Sequence, residues 1–139
     1  MSVLAEALSL GLKEKNITHA LNGKNHEAVL LMQRLEKTNV TMNVLFLTDD
    51  TNHSVAVRYY NYYKMEDRDI TDEFFRKLND WNRIYNWGKI TLEDHDIVIA
   101  MDAFVTPINI TDICLELTFY GAQIADRIYS ELEAMKYNL

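Results

Sequence analysis

The segment Glu93-Asp94-His95-Asp96 places three carboxylates and an imidazole within four residues. Those donors suit a divalent cation or acid–base work. Consecutive residues on a tight turn point in divergent directions, however, whereas metal sites gather ligands from separated positions. The pattern therefore reads as a solvated hairpin tip. Asp49-Asp50 is a second acidic pair. Catalytic carboxylate pairs need environments that push their pKa values apart. This pair lies between two strand-like runs, where short acidic side chains bond the local backbone and make turns. The histidines His19, His26, His53 and His95 share no helical spacing and complete no H-E-x-x-H. Cys114 is the single cysteine and sits in the apolar stretch Ile113-Cys114-Leu115. It reads as a buried, inert thiol, and it permits no intrachain disulfide. Nucleotide loops, nucleophile elbows and C-x-x-C pairs are absent, and four glycines leave little with which to cradle phosphate. The reading is a protein that is not an enzyme, with no catalytic residue, cofactor or metal.

Two other stretches stand out. Arg58-Tyr59-Tyr60-Asn61-Tyr62-Tyr63-Lys64 interleaves aromatics between cations. Such a run can stack bases, build a strand or meet a protein, since tyrosine is enriched at interfaces. The neighbouring Glu66-Asp67 and the scattered basic residues favour core or protein interface over nucleic acid. The acidic run Glu66, Asp67, Asp69, Asp72 and Glu73 is relieved only by Arg68. It reads as a solvated loop and helix start; the sharper alternative is an acidic inhibitor or nucleic-acid mimic for a basic partner.

Periodicity supplies the elements that position these residues. Residues 2–14 predict a short amphipathic helix with Ser2 as N-cap. Asn22-Gly23 marks a turn. Strand-like runs follow at 27–36, 40–48 and 53–60. In the second, Val40, Met42, Val44 and Phe46 share one face, with Leu45 and Leu47 on the other. In the third, Val55, Val57 and Tyr59 oppose Ala56, Arg58 and Tyr60. Thr71 then caps a helix whose Phe74, Leu78, Trp81 and Tyr85 form one stripe, with Ile70 and Phe75 placed as a hydrophobic staple. A hairpin of 89–92 and 96–103 precedes a last helix over 111–136. Along that helix Ile113, Leu117, Tyr120, Ile124, Ile128, Leu132 and Met135 keep helical spacing. The order α-βββ-α-ββ-α, with five strands in a largely antiparallel sheet packed by helices, is an α+β class.

The chain has 139 residues, 48 % apolar and 25 % charged, and a formal charge of −7. One domain over residues 1–139 fits that length, since no Gly/Ser/Pro linker divides it. The negative balance disfavours direct nucleic-acid binding and a polybasic membrane contact. No run is long and apolar enough to span a membrane. The opening Met1-Ser2-Val3-Leu4-Ala5-Glu6 lacks the basic region of a secretory signal. The expected location is the cytoplasm, and the sequons at Asn16, Asn39, Asn52 and Asn109 are chance matches.

Leu78-Asn79-Asp80-Trp81-Asn82-Arg83 resembles the helix-borne N-x-W-N pattern of the YbjN-like family. A hairpin ending in Ala100-Met101-Asp102 and a long helix from Thr111-Asp112-Ile113 follow in the order of that family, over residues 40–136. The chain departs from it at Pro107-Ile108-Asn109, where members often carry glycines. The resemblance implies a fold similar to type III secretion chaperones, which are small acidic proteins that dimerise and bind partner polypeptides, and the family itself has no established enzymatic activity. It also implies a structural role for Asn79, Trp81 and Asn82. Together with two-faced apolar strands, it leads to a non-enzymatic protein-binding module, a chaperone-like protein or regulatory adaptor. Such a module is expected to act as a homodimer and to use Tyr60, Tyr62, Tyr63, Leu45 and Leu47 for its partner.

Overall fold

A computed structural model describes residues 2–137. Helix α1 (Val3–Glu14) starts where Ser2 turns to extended backbone and its hydroxyl accepts the Ala5 amide. Asp50, far along the chain, completes the cap. Its carboxylate accepts the amides of Val3 at 2.8 Å and Leu4 at 3.1 Å, and the Ser2 hydroxyl. Asp49 accepts the amides of Thr51 and Asn52 and so closes its own turn. The expected turn is thus present, and one of its acids also holds a helix terminus, where negative charge is favourable.

The strands are β1 (Ala20–Asn22), β2 (Ala28–Arg34), β3 (Thr41–Asp49), β4 (Ser54–Tyr60), β5 (Lys89–Glu93) and β6 (Asp96–Phe104). They form one sheet in the order β1-β2-β3-β4-β6-β5, and every neighbouring pair is antiparallel. The α+β class and the element order are as expected, but there are six strands rather than five. The extra one, β1, is three residues long and offers only Leu21 to the core side, opposite Val29. That is too short to show an alternation.

One sheet face is dry. Met42, Val44 and Phe46 of β3, Val55, Val57 and Tyr59 of β4, and Ile97, Ile99 and Met101 of β6 are all at most 3 % exposed. The helices cover this face. Helix α2 (Asp72–Ile84) starts at Thr71, whose hydroxyl accepts the Phe74 amide, and buries Phe74 and Trp81. Helix α3 (Ile110–Tyr137) is the long one. Its stripe is as expected from Ile124 onward but shifts in the first half. There the buried residues are Ile110, Cys114, Thr118, Gly121 and Ala122, while Tyr120 stays exposed. The cause is Tyr59. A β-carbon at Gly121 would lie 2.1 Å from the Tyr59 ring, so the helix approaches through a glycine and turns Tyr120 outward. The Tyr59 hydroxyl then donates to the Leu117 carbonyl at 2.6 Å.

Candidate functional site

The three helices pack on the dry face, and no described helix packs on the other. Cross-strand register defines that open face. Leu30, Leu45, Arg58 and Ala100 form one row, and Ala28, Leu47, Ala56 and Asp102 the next. Asn43 and Tyr60 make a third pair. Leu45 and Tyr60 are half-buried by their neighbours, while Leu47 is 38 % exposed. Met32 and Phe104, on the same face by alternation, are 68 % and 83 % exposed. The central charges compensate each other, with Arg58 and Asp102 3.6 Å apart. The arrangement is an apolar, nearly neutral strip with mixed charge at its margins, which is suited to contact with another polypeptide rather than to bond chemistry.

The tyrosine run divides. Tyr59 faces the core and Tyr60 the open face. Asn61 takes a left-handed conformation, φ 64°, and breaks the alternation. Tyr62 therefore returns to the core at 3 % exposure rather than joining a partner-binding surface. Burial first, and then the Asp96 charge, hold its phenol well above the ordinary range. Tyr63 packs edge-on against Tyr129 at 5.0 Å and donates to Glu133. Of the five expected partner residues, the structure groups Leu45, Leu47 and Tyr60 and sends Tyr62 and Tyr63 to the helix side.

Within the N-x-W-N segment, Asn79 is exposed. Trp81 is 1 % exposed, and its indole donates to Glu131 of α3, which also lies 3.5 Å from Lys77. Asn82 reaches sideways to β5. Its side-chain oxygen accepts the Ile90 amide at 2.7 Å, and its side-chain nitrogen donates to the Ile90 carbonyl at 2.8 Å. One side chain thus occupies both hydrogen-bonding groups that an edge-strand residue would offer another strand.

The residues read for chemistry are engaged structurally. At the hairpin tip His95 bonds Asp67 at 2.6 Å and Asp94 at 3.1 Å. The Asp67 hydrogen bond, aided by both acids' charges, raises the His95 pKa above its ordinary value. Among the described residues no three His, Cys, Asp or Glu side chains are grouped to hold a metal. Burial pushes the Cys114 thiol up to about 12, so it is no nucleophile at neutral pH. Ser9 and His19 lie 2.7 Å apart, and the second ring nitrogen of His19 meets the Ile17 carbonyl. Ser9 is 4 % exposed in the middle of α1, where a substrate has no approach. In the acidic run, Glu66 pairs with Arg68, and Asp67 with His95. Sequence reasoning passed over Met32, Phe104 and Trp87. The available signal for Trp87 was a tryptophan in Asn86-Trp87-Gly88, outside every apolar stripe. No described helix is long and apolar enough to cross a membrane.

No protein-family model matches the chain, and no curated protein matches it as a relative. Among solved structures, it is similar to a chain in the crystal structure of the ExsC–ExsE complex. The identity is 12 %, the match covers 88 % of this chain and 90 % of that one, and the TM-score is 0.55. At that identity the likeness is one of fold. It shows the α+β fold and not the YbjN-like family in particular, and the similar chain was solved in a protein complex.

Proposed function

We propose that this protein is a non-enzymatic protein-binding module, a chaperone-like protein or regulatory adaptor that acts as a homodimer in the cytoplasm. The observation that carries the reading is the one-sided helix layer, which leaves Leu30, Leu45, Leu47, Met32 and Tyr60 on a sheet face that no described helix covers. Exposed apolar strips of this kind gain free energy when a second surface excludes water from them. The open face takes the partner polypeptide or the second subunit, and the YbjN-like resemblance at Asn79, Trp81 and Asn82 fits the same role. Strand addition at β5 is restricted, because Asn82 occupies Ile90. Contact through the face is therefore favoured over contact through that edge.

Size-exclusion chromatography with light scattering tests this. The expected mass is twice the 16.3 kDa of one chain. Leu47→Lys with Met32→Lys should lower the mass to that of one chain, or abolish capture of the partner found with the wild-type protein. A clean monomer that captures no polypeptide would remove the proposal.

A further inference from the structure

A second surface lies on the helix side of the sheet. Helix α2 stops at Ile84, and the chain crosses to β5 through Tyr85-Asn86-Trp87-Gly88, leaving a gap in the helix layer over β6. The gap is a cleft of about 890 Å³. Met101, 3 % exposed, lines its depth; Leu117 and Tyr120 line it from α3, and Trp87 from the crossing segment. Trp87 is 78 % exposed and Tyr120 42 %. Large aromatics left in water beside an apolar cleft are the residue types that dominate binding energy at interfaces. The charged residues lining the cleft are all acidic: Asp102, Asp112 and Glu116. Asp102 is met from outside by Arg58 at 3.6 Å. Asp112 and Glu116 stand one helical turn apart on α3, and neither makes an ion pair among the described residues.

We propose that the Trp87 cleft docks a basic amphipathic peptide segment of a protein partner. A bulky apolar side chain enters toward Met101, between Trp87 and Tyr120, and flanking Lys or Arg residues meet Asp112 and Glu116. Charge selects this occupant. An anionic ligand is repelled by the two uncompensated carboxylates, Asp112 and Glu116, and a second copy of the chain brings its own formal −7 toward them. The cleft meets the Leu47 face only at the rim residue Asp102, and the groups that bind the peptide, Trp87, Tyr120, Asp112 and Glu116, lie off that face.

The test is a titration of tryptophan emission at physiological ionic strength, where distant charges are screened. The probe is a synthetic amphipathic peptide of leucine and lysine, compared with its leucine–serine and leucine–glutamate counterparts. Trp81 is 1 % exposed, so a shift in emission reports on Trp87. The leucine–lysine peptide should shift the emission to the blue and bind about tenfold or more tighter than the serine peptide, and the glutamate peptide should not bind. Tyr120→Ala and the pair Asp112→Lys with Glu116→Lys should each weaken binding by about tenfold or more. Glu66→Lys with Glu93→Lys changes net charge equally at exposed positions outside the cleft lining and should weaken it less than about threefold. Melting curves establish that each variant is folded. Equal weakening by the two charge pairs would overturn the proposal, because the attraction would then be a long-range one. So would equal binding of the serine peptide, or a blue shift on concentrating the protein alone, which would place a second copy in the cleft. Loss of binding in Leu47→Lys would move the peptide to the open sheet face and overturn it as well. A monomeric mass in light scattering leaves this site untouched, so the two readings fail separately.

Discussion

Gly121→Ala sets two opposing effects against each other at the contact that seats α3 on the sheet. In a helix interior, alanine is favoured over glycine by about 1 kcal/mol. At this position the new methyl would lie 2.1 Å from Cε2 and 2.4 Å from Cζ of Tyr59. Tyr59 is 0 % exposed and tethered by its hydroxyl to the Leu117 carbonyl, so the ring has no free space to enter. Forcing a methyl into such a contact costs about 1–3 kcal/mol, and displacing the tethered hydroxyl costs about 1 kcal/mol more. The sum is a net loss of about 1–3 kcal/mol once the helix preference is subtracted. For a domain of this size each kcal/mol moves Tm by about 3–4 °C, so Tm should fall by about 3–12 °C. Thermal melts followed by circular dichroism and urea midpoints both read this. Tyr59→Leu should make the two changes non-additive, with Gly121→Ala costing less in that background. An unchanged or raised Tm for Gly121→Ala would refute the close approach of ring and helix, and with it the cause given for Tyr120 facing outward.

Three further outcomes are expected. Asp126, 6 % exposed, accepts the amides of Lys37 and Thr38 and the Thr38 hydroxyl. Asp126→Ala should destabilise by about 2–4 kcal/mol by stranding those donors, read by urea denaturation with an unchanged slope. Asn82→Ala exposes Ile90's two backbone groups and should raise concentration-dependent association through β5, seen as a growing mass in light scattering. The His95 pKa is raised in the folded state. Its tie to Asp67 is therefore at full strength below the unfolded value of about 6.5 and is lost as pH rises through the folded value. Amide protection factors of residues 64–70, corrected for the intrinsic pH dependence of exchange, should fall across that window in wild type, and the step should be absent in His95→Gln.

The strands β3 and β4 were legible because their buried and open faces alternate strictly, as Met42, Val44, Phe46 and Val55, Val57, Tyr59 show. The N-caps Ser2 and Thr71 were legible because a cap is a local event. The Asp50 cap was not, since its helix lies more than forty residues away in sequence. The shifted stripe of α3 was hidden for the same kind of reason: periodicity cannot see that Tyr59 occupies the space beside Gly121. Of the residues expected to meet a partner, Leu45, Leu47 and Tyr60 lie on the open face, a placement that follows from alternation alone. The burial of Tyr62 was hidden because the left-handed turn at Asn61 interrupts that alternation. The Trp87 cleft arises where a helix ends over a distant strand, and no window along the chain contains both.

The β4–β6 ladder joins strands that are adjacent in space but separated in the chain by α2 and β5. The meander β2-β3-β4 can zip through short turns, whereas β6 must return across roughly 40–50 residues, a closure costing about 3 kcal/mol or more in chain entropy. During synthesis β4 is therefore a temporary edge, with Val55, Val57 and Tyr59 on one side of it and Arg58 and Tyr60 on the other. The amides of β4 that β6 will take stay unpaired for the interval between the emergence of β4 and that of β6. A second subunit or client strand arriving then would compete with the chain's own β6 for the same row of amides.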